Sequence, residues 1–109
     1  MNSTEWRKFP NPEKGEYICA PFGMGVYQLR NAETGELILF GSGNNIAFRM
    51  TSLLPPPLGQ GTRNNEAKRE YVKKFLSNIE YRTVPCLTES EMKENEKILK
   101  SRNNHIFNS

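Results

Sequence analysis

Four glutamates crowd one stretch near the end of the 109-residue chain: Glu89, Glu91, Glu94 and Glu96. The chain contains no Asp, so any carboxylate that binds a hard cation must be a Glu. This argues against a cage of several carboxylates and suits one Glu plus water ligands, as Mg²⁺ accepts. Helical spacing separates the four. Thr88-Glu-Ser-Glu91 is a capping box, which puts Glu89 and Glu91 in a first turn. The helix it opens runs to about Arg102, and its apolar residues are chiefly Met92, Ile98 and Leu99. Glu96 follows Met92 by four and precedes Leu99 by three, so it shares their inward face. Glu94, four before Ile98, lies nearer the margin. A carboxylate on a buried face must be paired, protonated or bound to a cation. Glu96 is therefore the candidate acid, with an i,i+4 pair to Lys100 as the plainer alternative.

Cationic groups fall in two places. Ile46, Met50, Leu53 and Leu54 mark one face of a helix that Asn44 or Asn45 can cap, and Arg49 lies on the edge of that face. From there its side chain can lean over a sheet or remain solvated. Pro55–Pro57 ends this helix, and Leu58-Gly-Gln-Gly-Thr62 is a loop. A second helix opens at Asn64 or Asn65 and reaches about Asn78, with Ala67, Tyr71, Val72, Phe75 and Leu76 on one side. Lys68, Arg69, Lys73 and Lys74 occupy much of the rest, a surface that can face phosphates or simply water. His105 stands alone, suited by its pKa to act as a base if the tail folds inward and otherwise an exposed polar residue. Cys19 and Cys86 are isolated, and one His without a CxxC favours reduced thiols over a zinc site. Gly41-Ser-Gly43 lacks the continuation of a phosphate loop.

The elements that must position these groups begin at Gly25. Val26, Gln28 and Arg30 alternate with Tyr27 and Leu29, as in a half-buried strand. Asn31-Ala-Glu-Thr-Gly35 forms a tight turn in which Gly35 supplies a positive φ. Leu37 to Phe40 is a continuous apolar run, expected of a strand covered on both faces. Ile79 to Val84 alternates again and gives a third strand, closed by Pro85. The order strand, strand, helix, helix, strand, helix predicts an α+β fold: a small three-stranded, mainly antiparallel sheet flanked by helices. Residues 1–21, punctuated by Pro10, Pro12, Gly15 and Pro21, form an N-terminal extension. Trp6, Phe9, Tyr17 and Ile18 can dock it on the core domain, residues 22–109.

This arrangement resembles the GIY-YIG endonuclease fold, shared by the N-terminal nuclease of excinuclease C subunits and many small stand-alone proteins. Gly25-Val26-Tyr27 matches the first motif. Leu39-Phe40-Gly41 matches the second after a spacer of eleven residues. Arg49 stands ten residues after Leu39, where the family has its helix Arg. Glu96 precedes Asn108 by twelve, the family's spacing from its metal-binding Glu to an Asn that follows an aromatic, here Phe107. The resemblance covers about residues 22–108.

The resemblance implies metal-dependent hydrolysis of DNA phosphodiesters, a nuclease of the DNA-repair type. Glu96 would hold Mg²⁺ or Mn²⁺, Arg49 the non-bridging oxygens, Tyr27 the attacking water, and Asn108 the architecture or substrate. Gly41, Ser42, Arg49, Arg63 and Lys68 would contact the substrate. Leu39 stands where the family usually has a second Tyr, and Ser42 where it commonly has a basic residue. Water activation then falls to Tyr27 or His105. The alternative is a non-catalytic relative that binds nucleic acid or, through the extension and the Pro55–Pro57 loop, another protein. A net charge of +3 and a pI near 9.0 permit a polyanionic partner without demanding one. With no DNA-binding appendage, a partner protein would choose the target. No apolar run approaches the roughly 20 residues of a membrane span, and the first residues lack a signal-peptide core, so a cytoplasmic location is expected.

Overall fold

The Gly25–Asn31 segment (β2) forms the middle of a mixed sheet in the computed structural model, which describes residues 3–11, 14–15, 23–51 and 66–108. Around it lie β1 (Arg7–Lys8), β3 (Leu37–Gly43), α1 (Ile46–Thr51), α2 (Glu66–Lys74), β4 (Ile79–Pro85), α3 (Glu89–Arg102) and β5 (His105–Phe107). The strand order is β1-β4-β2-β3-β5. β2 pairs antiparallel with both β3 and β4, while β5 lies parallel to β3.

The three expected strands are thus the antiparallel centre of a wider sheet. Described residues supply five strands rather than three, and the parallel β5 makes the sheet mixed. The two additions are too short, at two and three residues, for a period-2 pattern to emerge. With neighbours on both sides, β2 is also more deeply covered than a half-buried strand: only Arg30 among its residues is not fully buried.

Alternation along β2 divides the core into two layers. Tyr27 and Leu29 pack with Leu39, Ile46, Met50 and Val72, so α1 and α2 cover one face. Val26 packs with Phe40, Val84, Met92 and Leu99, so α3 covers the other. Asn45 Oδ1 accepts from Phe48 N at 3.1 Å and opens α1. α2 is shorter than the periodicity suggests: it ends at Lys74 and passes through a 3₁₀ turn at Leu76–Asn78. Thr88 caps α3 through Glu91 N at 3.1 Å, whereas the Glu91 carboxylate accepts from Leu87 N rather than from Thr88. Asn103 ends the helix at φ 48°, a left-handed position that Asn tolerates.

The N-terminal segment joins the sheet. Arg7 and Lys8 pair with Tyr81 and Glu80. Phe9 is fully buried and meets Tyr81 edge to face, with ring centroids 5.9 Å apart. The Trp6 ring meets two guanidinium groups, with its centre 4.4 Å from that of Arg30 and 4.5 Å from that of Arg82. Tyr17, Ile18, Cys19, the Pro55–Pro57 turn, Arg63 and the Asn64 or Asn65 helix start lie outside the described residues. No helix among the described residues is long and apolar enough to cross a membrane.

Candidate active site at the β3 edge

β5 accompanies β3 only as far as the Leu39–Phe107 pair, so Gly41–Gly43 continues beyond the partner strand. Both helical layers send polar side chains to this stretch. Tyr27 pairs with Gly41 across the β2–β3 ladder, and its ring fills the space that a Cβ at Gly41 would need. Such a Cβ would stand 2.8 Å from Tyr27 Cε1 and closer still to the hydroxyl. Gly43 does the same for α1, where a Cβ would come within 2.6 Å of Arg49 Cγ. The two glycines let a phenol and a guanidinium stem lie directly on the strand backbone. Gly41 thus has a steric reason at this position.

Glu96 reaches the same stretch from α3. It accepts a short hydrogen bond from the Ser42 hydroxyl, and its carboxylate turns to Ser42 rather than to Lys100. Glu96 is half-buried, whereas Glu89, Glu91 and Glu94 are exposed, as the helical spacing indicated. Ile98, expected inward, is more than a third exposed. Inward packing on α3 is therefore left to Met92 and Leu99.

Electrostatics tie these groups together. Tyr27 is buried, and desolvation raises its phenol pKa above the usual 10.0; the Arg49 charge opposes this rise and the Glu96 charge adds to it. At neutral pH Tyr27 is a proton donor, not a tyrosinate base. Lys68 on α2 has a lowered pKa, first from burial and then from the positive charge of Arg49. Two cations that raise each other's energy would both gain from an anion between or beside them.

Tyr27 and Arg49 thus approach the Gly41–Gly43 strand end from the α1/α2 face, with the Lys68 charge felt there, while Glu96 meets Ser42 from the α3 face. Asn108 has a different place. Its Nδ2 donates to the Lys100 carbonyl at 3.0 Å and ties the β5 tail to the last turn of α3. Leu39 is 1% exposed and belongs to the core.

His105 is not an exposed tail residue. It is buried at the start of β5, opposite Leu37, and its ring meets Phe40 at 4.9 Å. Gln28 Oε1 accepts from Arg82 Nε at 2.7 Å, which fixes the orientation of the Gln28 amide. Gln28 Nε2 then donates to His105 Nε2 at 3.1 Å, leaving the ring proton on Nδ1. Burial, with the charges of Arg102 and Arg82, lowers the His105 pKa below 6.5, while the Asn108 side chain pulls the other way. None of these partners belongs to the Tyr27–Glu96 group. His105 accordingly has a structural place in the Arg82–Gln28 chain, against the expectation that it could replace a base. The run Leu37–Phe40 signalled the strand beside it, but nothing in a three-residue segment announced β5.

Comparisons of the chain with family models, with curated proteins and with solved structures found no match.

Proposed function

We propose that this domain is a small metal-dependent endonuclease that hydrolyses DNA phosphodiesters at the Gly41–Gly43 edge. The observation that carries the reading is the meeting of Tyr27, Arg49, Lys68 and Glu96 around a glycine-flanked strand end. The phenol and the two cations stand on the α1/α2 face of this strand end and the carboxylate on the α3 face, groups that could bracket a bridging phosphate at the end of the strand.

A hard cation at this edge would have Glu96 as its protein ligand. Glu96 is half-buried with a single hydroxyl partner, and no three His, Cys, Asp or Glu side chains cluster among the described residues. One protein carboxylate with water completing the shell is a coordination Mg²⁺ or Mn²⁺ accepts. An ion held by Glu96 would supply positive charge that stabilises the phosphate as negative charge develops on it. Arg49, permanently charged and planar, holds the non-bridging oxygens as negative charge accumulates. Lys68 adds a second cation beside it. Tyr27 donates a hydrogen bond to the scissile phosphate and Ser42 fixes the rotamer of Glu96, while the proton of the attacking water passes to bulk water.

A second reading has its own observation. Leu39 is sealed in the core and offers no proton acceptor, so the same edge could bind DNA without cutting it. Nicking of supercoiled plasmid with Mn²⁺ separates the two. The nuclease reading expects nicking that Glu96→Gln and Arg49→Ala each reduce at least about a hundredfold. Salt-sensitive binding without nicking by the unmodified chain would favour the binding domain.

A further inference from the structure

On the α1/α2 side of the sheet a groove of about 720 Å³ runs along α2. Ala67, Tyr71, Lys74 and Phe75 line it at helical spacing, Glu70 and Lys73 flank it, and Phe107 of β5 closes the far wall. Its volume lies within the roughly 300–1,000 Å³ of small-molecule sites. The walls are aromatic. Tyr71 and Phe75 stand 4.6 Å apart at 42°, and Phe107 meets Tyr71 edge to face at 6.1 Å. Lys74 Nζ lies 5.4 Å from the centre of the Phe75 ring. Lys73 and Lys74 are exposed, and the three rings are half-buried.

The groove lies on the same face of the sheet as Tyr27 and Arg49. Lys68, whose charge interacts with that of Arg49, neighbours Ala67 in the groove wall. Phe107 pairs with Leu39, two residues before Gly41 on the same strand. A polymer held with one phosphate at Arg49 would pass naturally onto α2.

We propose that this groove binds one or two unpaired nucleotides of the DNA strand whose phosphate lies at Arg49. The bases would stack on Tyr71, Phe75 and Phe107, with their phosphates on Lys73 and Lys74. Stacked bases in duplex DNA present no open ring face, so the groove selects frayed, flapped or single-stranded segments. Aromatic rings beside a cationic track are the physical basis of single-strand binding, since every base has a π face. Glu70 beside Lys73 and Lys74 sets a modest affinity, with a shallow salt dependence that reflects the one or two phosphates the lysines meet. This inference rests on the nuclease reading for the strand's placement, although the stacking itself does not require hydrolysis.

The test uses the full chain carrying Glu96→Gln, so that binding is measured without cleavage. Fluorescence anisotropy compares a labelled single-stranded 12-mer with the duplex of the same length. The expectation is tighter single-strand binding, weakened about tenfold by Phe75→Leu and by the pair Lys73→Glu, Lys74→Glu, with duplex binding changed less than threefold by Phe75→Leu. Phe75→Leu keeps an apolar side chain against the core and removes the ring; the lysine pair is exposed, although Lys74 also gives up its contact with that ring. Equal affinity for the two DNAs, or single-strand binding indifferent to Phe75→Leu, would overturn the proposal. So would concentration-dependent dimerisation abolished by the same substitutions, which would make a second copy the occupant. Plasmid nicking by the unmodified chain is scored separately. Nicking without preferential single-strand binding sinks only the groove, and single-strand binding without nicking sinks only the nuclease.

Discussion

The phenol of Tyr27 rests on the bare Cα of Gly41, its partner across the β2–β3 ladder. This contact joins the interior of the α1/α2 layer to the strand end where Arg49 and Glu96 arrive. It also ties the identity of one residue to the position of another.

Gly41→Ala should therefore displace the Tyr27 ring. A destabilisation of about 1–3 kcal/mol is expected, as for overpacking in a filled core, and plasmid nicking should fall with it. Tyr27→Phe keeps the ring, so it should lose activity while changing the denaturant midpoint little. Urea titrations of the two variants beside nicking rates distinguish the steric role of Gly41 from the polar role of Tyr27.

Ser42→Ala removes the hydroxyl that holds Glu96. Loss of such an orienting partner typically weakens metal affinity or activity about 10–100-fold. Nicking by this variant should require more Mn²⁺ for half-maximal rate and recover partly at saturation. Glu96→Gln should recover at no concentration. A Mn²⁺ titration of both variants gives the comparison.

His105 makes folding stability depend on pH. Its folded-state pKa is lowered, mainly by burial, so the unfolded chain takes up the proton first as pH falls below 6.5. More protons bound to the unfolded state means stability rises with pH through this window and falls on acidification. Above about pH 7 the effect vanishes, because both states hold a neutral ring. His105→Gln should remove this part of the slope in denaturation midpoints compared at about pH 7.5 and about pH 5. It should leave nicking at neutral pH nearly unchanged, since the ring lies outside the Tyr27–Glu96 group.

Phe9→Ala should cost about 3–5 kcal/mol, the usual loss for a large aromatic in a filled core. Thermal unfolding followed by circular dichroism would measure it. A loss below about 1 kcal/mol would mean that the N-terminal segment contributes little to the fold.

Much of the candidate site was legible because it depends on spacing along single elements. Glu96 stands out from its neighbours by its offsets from Met92 and Leu99, and the structure places it half-buried while the other three remain exposed. The β2–β3 hairpin and the cap at Thr88 were legible for the same local reason. The rest depends on contacts between segments distant in sequence. No pattern in Arg7-Lys8 reveals a strand, because its only signal is the hydrogen bonding of β4. His105 looked like a surface residue because its burial is set by Gln28 and Phe40, far away in sequence. The three-stranded sheet was incomplete at both edges for this one reason.

The brevity of β1 bears on how the protein behaves in crowded solution. β4 is seven residues long and would otherwise present an unpaired row of backbone donors and acceptors to any passing strand. Arg7 and Lys8 cover part of that row with two exposed, like-charged residues. Short, basic edge strands repel further pairing, a common natural defence against edge-to-edge aggregation. Removing this segment would take away more than a buried Phe9. It would turn a closed margin into an adhesive one, and the concentration at which the protein stays dispersed would fall.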